Sequence, residues 1–134
     1  MIVIAIIGII ATVAIPLYQS NIVKTQLNRS VSELAAYRTA FETQLSRSET
    51  VTNAELGYVP SELTTGTMAV NIGVINGDGS GHLEVTMGGT AHPLLTGVTV
   101  RYERSSSGSW SCIIDKSATG DWRDSYSPAT CVVR

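Results

Sequence analysis

Chemically reactive side chains are scarce in this 134-residue sequence, which contains only two cysteines and two histidines. His82 and His92 stand apart from each other and from both cysteines, so the spacing typical of a metal site is missing. The glycine-rich stretch 76–81 lacks the Lys-Ser/Thr pair of a phosphate-binding loop and is typical of a turn. We therefore predict a protein that is not an enzyme and needs no cofactor or metal, with both histidines in loops.

Charge is also sparse. Charged residues make up 15% of the sequence and the formal net charge is −2. A protein that recognises nucleic acid usually carries a strongly basic face. We therefore expect no specific nucleic-acid partner.

Aliphatic side chains, in contrast, are concentrated at the N-terminus. Residues 1–15 carry no charged side chain, and nine of them are Ile or Val. Together these nine favour membrane insertion by roughly 3–5 kcal/mol, and lipid permits only a helix here. Fifteen helical residues span about 22 Å, less than the ~30 Å of a bilayer core. No basic stretch precedes the run and no A-x-A cleavage site follows it. We expect it to be the later part of a hydrophobic helix that begins before Met1.

This hydrophobic segment contains two points of weakness as a helix. Pro16 has no N–H to donate to the carbonyl of Thr12, and Gly8 has low helix propensity. We predict that the stretch from Gly8 to Pro16 is easily loosened, unless both are simply ordinary transmembrane residues. The side chains predicted to contact lipid or neighbouring copies are Ile2, Ile4, Ile6, Ile7, Ile9, Ile10, Val13 and Ile15.

An amphipathic helix is predicted to follow. Leu27, Leu34 and Phe41 recur every seven residues and define one face, which Arg38 interrupts. A continuous helix from Met1 to about Leu45 would be roughly 65–70 Å long, whereas a head of about 110 residues is only about 30 Å across. Half of the helix must then protrude with a bare apolar surface, which requires lipid or partner subunits.

The rest of the chain has the alternation of a sheet. Apolar residues alternate with polar or small ones over 68–74, 83–87, 98–103 and 110–114, and glycine-rich turns separate these runs. This pattern predicts a four-stranded antiparallel sheet whose apolar face packs on the amphipathic helix, an α+β fold. The predicted parts are a hydrophobic segment 1–22 and a head 23–134, the latter made of a stem helix 23–48, a connecting loop 49–66 with one short helical turn, a sheet 67–115 and a loop 112–131.

Cys112 and Cys131 are either one disulfide formed in an oxidising compartment or two unrelated buried thiols. A bridge would stabilise the fold by roughly 3 kcal/mol in the chain-entropy model. The polar loop between them contains Trp122, Tyr126 and Pro128. The two aromatic rings suit either stacking on a host glycan or packing of the loop onto the sheet.

These features together resemble the type IV pilins, in particular the type IVa major pilins of Gram-negative bacteria. The resemblance is carried by "MIVIAIIGIIATVAIPLYQ" at Met1–Gln19, by "TTGT" at Thr64–Thr67, and by the Cys112…Cys131 pair, which is similar to the family's disulfide-bounded loop. The family's mature chain begins with a methylated Phe, followed shortly by a Glu. The resemblance places that Glu two residues before Met1.

The resemblance implies a subunit that waits in the inner membrane, held by its N-terminal helix, with the head in the periplasm. Inner-membrane assembly machinery driven by an ATPase then builds many copies into a homopolymeric extracellular fibre. In such fibres the segment matching Gly8–Pro16 loses helical structure. The fibres serve adhesion and twitching motility, and they contact host-surface glycans or phage.

Three alternatives remain open at this point. A pseudopilin of type II secretion shares the N-terminal segment, but many major pseudopilins bind calcium near the C-terminus and lack this cysteine pair. The spacing of Asp115, Asp121 and Asp124 fits no calcium loop. A minor pilin would differ only in its abundance in the fibre. A single-pass membrane protein with a periplasmic binding domain would form no fibre and would not need Gly8 and Pro16.

Overall fold

The computed structural model describes every residue from Met1 to Arg134. Helix α1 (Ile2–Ala36) and helix α2 (Arg38–Leu45) form one rod of 44 residues, which is interrupted only at Tyr37. The backbone of Tyr37 keeps right-handed helical angles (φ −82°, ψ −7°), so the interruption is slight. The predicted long helix ending near Leu45 is confirmed.

The connecting loop contains one short helix, α3 (Asn53–Leu56). Its N-terminus is closed by a capping box, in which the backbone N–H of Thr52 donates to Glu55 Oε2 at 2.8 Å and the N–H of Glu55 donates to Thr52 Oγ1 at 3.3 Å. Gly57 ends the helix in the left-handed region at φ +66°, which favours glycine. The sequence prediction of one short helical turn in this loop is confirmed.

The sheet has five strands rather than the predicted four. In spatial order they are β1 (Gly73–Ile75), β2 (Gly81–Thr86), β3 (Thr99–Arg104), β4 (Trp110–Asp115) and β5 (Cys131–Val133). The first four are antiparallel neighbours, as predicted, and β5 lies parallel to β4 with Cys131 opposite Cys112. A three-residue strand is too short to show an alternation, and it pairs here because the disulfide holds its first residue beside β4.

The predicted first strand is much shorter than the alternation suggested. Residues before Gly73 lie outside the sheet, and Met68 and Val70 are 52% and 67% exposed. The cause is Asn53, which is 1% exposed and whose amide donates to Val70 O at 2.6 Å and accepts from the N–H of Ile72 at 2.9 Å. Backbone groups that bond to this buried side chain are not available to a strand ladder.

The placement of His82 in a loop was wrong. His82 lies inside β2, opposite Val74 on one side and Glu103 on the other. His92 does lie in a loop, where its Nδ1 accepts from the N–H of Leu94 at 3.2 Å. The alternation of buried and less buried residues in β2 starts at Gly81, one residue after the turn. His82 is therefore part of the strand.

The core lies between the helical rod and the sheet. The Arg38 guanidinium stands 4.8 Å from the centre of the Tyr102 ring, which accommodates a charge within the apolar stripe of the helix. The buried side chains that the rod contributes are Val23, Leu27, Val31, Leu34 and Phe41, and those of the sheet include Leu83, Val85, Val100, Tyr102, Cys112 and Ile114. The predicted packing of an amphipathic helix on one face of a sheet is confirmed.

Candidate filament interface

The first 22 residues of the rod project from the head with no residue buried, and Val23 is the first buried side chain. Every aliphatic side chain predicted to contact lipid or other copies is more than half exposed, from 51% at Ile6 to 77% at Ile2. Burying one such side chain stabilises a protein by about 1.5–3 kcal/mol. Covering all eight is therefore favourable on the order of 10 kcal/mol.

The rod meets the length and the apolar composition of a membrane-spanning helix. Tyr18, which is 68% exposed, lies just after the aliphatic run. Tyrosine is enriched where a membrane helix meets water. The same surface can therefore be covered by lipid or by the apolar surface of neighbouring subunits.

Gly8 and Pro16 both lie within uninterrupted α-helix in the single subunit. A Cβ added to Gly8 would meet no atom within 4 Å, so packing inside the subunit does not require glycine there. The Thr12 hydroxyl donates to the carbonyl of Ile9 at 2.7 Å, a local bond that competes with the helix pattern. Loosening of this stretch on assembly stays a prediction, since it concerns the fibre.

The loop between the cysteines is closed by the predicted disulfide, with a Cα–Cα distance of 4.5 Å. Tyr126 is 5% exposed within the core, and Trp122 meets its ring edge to face at 5.7 Å. Pro128 is half-buried, and its carbonyl accepts from the N–H of Cys131 at 3.1 Å. The aromatic rings therefore hold the loop against the head, while Asp121, Arg123 and Asp124 are exposed on its outer surface.

One charged contact that joins the rod to the sheet was missed in the sequence. The Glu42 carboxylate on α2 accepts from Arg104 Nε at 2.7 Å, from Arg104 Nη2 at 3.1 Å and from Trp110 Nε1 at 2.8 Å. The hydrogen bonds from Arg104 lower the pKa of Glu42 below its usual range. Trp110 also packs edge to face on Phe41 at 5.2 Å. No local pattern could reveal this contact, because Glu42 and Arg104 are 62 residues apart.

Comparison with known proteins finds a pilin family model and several fimbrial proteins. A family model described as pilin, a bacterial filament, matches residues 23–132. A fimbrial protein of Pseudomonas aeruginosa is 36% identical over 140 residues, covering 98% of this chain and 90% of the relative. Fimbrial protein Q of Moraxella bovis is 38% identical over 146 residues, and the type IV major alpha-pilin of the same organism is 34% identical over 145, each covering 98% of this chain and 91% of the relative.

The family match and the structure agree on the same part of the molecule. The match begins at Val23, the first buried residue of the rod, and ends within β5 just after the disulfide. It therefore spans the stem, the sheet and the cysteine loop, and the identity with the relatives extends across nearly the whole chain. This chain belongs to the pilin family, the subunits of bacterial filaments.

Proposed function

We propose that this protein is the structural subunit of a type IV pilus, a helical surface fibre used for adhesion and twitching motility. The observation that carries the proposal is the solvent-exposed apolar segment 1–22. This segment continues in one unbroken helix into a stem that is buried in the head. Such a surface is covered most simply by the same surface of neighbouring copies. Relatives named fimbrial protein and type IV major alpha-pilin support this assignment.

Before assembly the subunit resides in the inner membrane, with segment 1–22 in lipid and head 23–134 in the periplasm. The Cys112–Cys131 disulfide supports this side of the membrane, since disulfides persist in oxidising compartments such as the periplasm. Inner-membrane assembly machinery then moves the subunit into the extracellular fibre.

The physical nature of the segment suits reversible assembly. Lipid tails are as apolar as Leu or Ile side chains, so moving the segment from lipid to a fibre core changes its hydrophobic free energy little. Packing between helices and contacts between heads then decide how stable the fibre is. A small net free energy allows the machinery to extend and retract the fibre, which twitching motility requires.

In the fibre, the stretch from Gly8 to Pro16 loses helical hydrogen bonds and gives the fibre extensibility. The Pro16 position already lacks one backbone bond, so unwinding there costs less than elsewhere in the segment. A filament reconstruction with unbroken helix through Pro16 would contradict this part of the proposal.

The cysteine loop 112–131 is the proposed surface for a host glycan or a phage. Its Trp122 is partly exposed, and the adjacent residues Asp121, Arg123 and Asp124 are exposed.

The relatives do not favour the two remaining candidates. A type II pseudopilin would act as a periplasmic piston, and a minor pilin would form a small fraction of each fibre.

The test is electron microscopy of fibres sheared from the native cells, combined with mass spectrometry of their protein. We expect this chain to be the most abundant protein of a helical fibre, and we expect its N-terminus in the fibre to be methylated. Absence of the chain from the fibres would overturn the proposal. A trace amount would identify a minor pilin, and a stable detergent-free monomer of the intact chain would refute the need for partners.

A further inference from the structure

A cavity of about 510 Å³ lies between helix α1, the connecting loop and strand β2. We call it the stem cavity. Its apolar walls come from Leu34, Val59, Pro60 and Val85, and the rings of Tyr37 and Tyr58 stand against each other at 5.5 Å along it. None of its lining residues belongs to segment 1–22 or to the cysteine loop, so neither proposed interface accounts for it.

Three polar atoms of the residues lining this cavity are buried and have no hydrogen-bond partner: Ser30 Oγ, Glu33 Oε2 and the Tyr58 hydroxyl. Ser30 is 1% exposed and Tyr58 is 4% exposed, whereas 36% of the Glu33 side chain is exposed. Leaving a buried polar atom without a partner costs about 1–3 kcal/mol, and more when the atom is charged. Three such atoms around one cavity call for an occupant that forms hydrogen bonds, either water or a small polar group.

The charge of the cavity is negative. The Arg29 guanidinium donates to Glu33 Oε1 at 2.8 Å and to Glu62 Oε1 at 3.2 Å, so one cation serves two carboxylates. Both carboxylates and Arg29 line the cavity, which leaves a net charge of about −1 there. The unpartnered Glu33 Oε2 can only accept a hydrogen bond when ionised.

These groups select the chemistry of an occupant. An anion is excluded because it would face the free oxygen of Glu33, and a purely apolar molecule would leave all three polar atoms unsatisfied. An ammonium group has three donors and no acceptor, which matches three oxygen atoms that can each accept. Aromatic rings such as those of Tyr37 and Tyr58 also attract a cation.

We propose that the stem cavity binds a primary ammonium group carried on a short apolar chain. The ammonium donates to Glu33 Oε2, Ser30 Oγ and the Tyr58 hydroxyl, and the chain lies against Leu34 and Val85. Two sources share this chemistry: a free small amine, and a lysine side chain of a neighbouring subunit. The chain has only two lysines, Lys24 and Lys116, which makes the second source testable.

The first experiment titrates the intact protein in maltoside micelles with n-butylammonium and follows backbone amides by two-dimensional NMR. We expect saturable shifts centred on Ser30, Glu33 and Tyr58. We expect Glu33→Gln to weaken binding at least about tenfold, as for the loss of a charged hydrogen-bond partner, and Tyr58→Phe to weaken it less. Glu49→Gln, an exposed carboxylate without hydrogen bonds, is the matched control and should bind as the wild type does.

The neutral isostere n-butanol and the donor-free tetramethylammonium ion complete the titration. We expect both to bind at least about tenfold more weakly than n-butylammonium. The proposal would be overturned if n-butanol bound as tightly as n-butylammonium, or if Glu33→Gln bound n-butylammonium as tightly as the wild type. It would also be overturned if the folded protein showed no saturable shift. Each of these results would mean that the cavity holds only water. The amide spectrum of each variant shows that it is folded.

The second experiment separates the two sources in assembled fibres. Lysines are reductively methylated with formaldehyde, and the labelling of Lys24 and Lys116 is measured by mass spectrometry. A lysine seated in a neighbour's stem cavity should be protected in wild-type fibres and labelled in Glu33→Gln fibres. If neither lysine is protected, n-butylammonium should still bind to the fibres, and a free amine is the occupant. Fibres with neither protection nor binding would overturn the proposal for the assembled state.

Discussion

Arg104 on β3 and Glu42 on α2 lie 2.7 Å apart, Nε to Oε1, and this ion pair fastens the far end of the helical rod to the sheet. The arginine is largely covered, with 13% of its side chain exposed, whereas the glutamate is 40% exposed. The guanidinium also donates to the carbonyl of Gly79 at 2.6 Å, within the turn between β1 and β2. One side chain therefore links the rod, a sheet strand and a turn.

Glu42→Gln should destabilise the head because it removes the charge that accepts two bonds from Arg104. We expect a loss of about 1–2 kcal/mol, more than for an exposed surface pair, since the arginine stays largely buried without its partner. Denaturant unfolding of the intact protein in micelles measures this loss. Glu49→Gln is the control, and an equal effect of both substitutions would contradict the role of the contact.

Reduction of the Cys112–Cys131 bridge should lower the free energy of unfolding by about 3 kcal/mol. The cause is loss of loop closure together with loss of the β5 pairing that begins at Cys131. The measurement compares denaturant unfolding of the wild type with and without reductant. A Cys112→Ser/Cys131→Ser variant should match the reduced protein and should not respond to reductant.

Stability should also depend on His82. Burial, with the nearby charge of Arg101, lowers the pKa of His82 below its usual value, while Glu84 and Glu103 oppose this in part. The unfolded chain then binds the proton more readily, so stability is complete above the ordinary histidine pKa of about 6.5 and falls as the pH is lowered through it.

The measurement is the free energy of unfolding between about pH 7.5 and pH 5. His82→Gln should remove the part of the decline that begins near the histidine pKa. His92→Asn, which keeps His82 and an acceptor for the N–H of Leu94, should retain it. A wild type whose stability is constant through this range would contradict the prediction.

Pro16→Ala should restore a backbone donor to the carbonyl of Thr12 and strengthen the helix by up to about 3 kcal/mol. If the stretch from Gly8 to Pro16 unwinds in the fibre, the variant fibres should be stiffer. Single-fibre pulling measures their extension under load. Equal extension of wild-type and Pro16→Ala fibres would show that the proline does not govern it.

Trp122→Ala tests the proposed receptor surface. If the indole stacks on a glycan, the variant should lose about 1 kcal/mol or more of binding, a decrease of roughly fivefold or greater. Binding of the intact protein in micelles to a glycan array measures this. If the variant binds glycan as well as the wild type, or if the wild type binds no glycan, then Trp122 only packs against Tyr126. Arg123→Ala, an exposed neighbour, shows whether charge contributes.

Much of the fold could be predicted because its signals are local. The heptad spacing of Leu27, Leu34 and Phe41 predicted a helix that does bury these residues. The cysteine pair predicted the disulfide, and turn sequences separated the strands correctly from β2 to β4.

Other features depend on partners far along the chain. The Asn53 side chain forms hydrogen bonds with the backbone of residues 67–72, so these residues lie outside the strands of the sheet. Their sequence nevertheless shows the apolar alternation of a strand, with Met68 and Val70 on one face. The stem cavity requires α1, the connecting loop and β2 to meet, and Ser30 and Tyr58 carry no local sign of it. In both cases the contact joins residues that are far apart in the sequence and come together only in the folded chain.

The sequence alone therefore determined that residues 1–22 form an apolar helix in need of cover, and that an amphipathic stem packs on an antiparallel sheet. Hydrophobicity and period are properties of neighbouring residues, so a short window reveals them. Tertiary structure decided the pairing of Glu42 with Arg104, the parallel fifth strand and the polar cavity beside the stem. These depend on which distant backbone and side-chain groups reach each other once the chain has closed its loops, and no window of the sequence contains both partners.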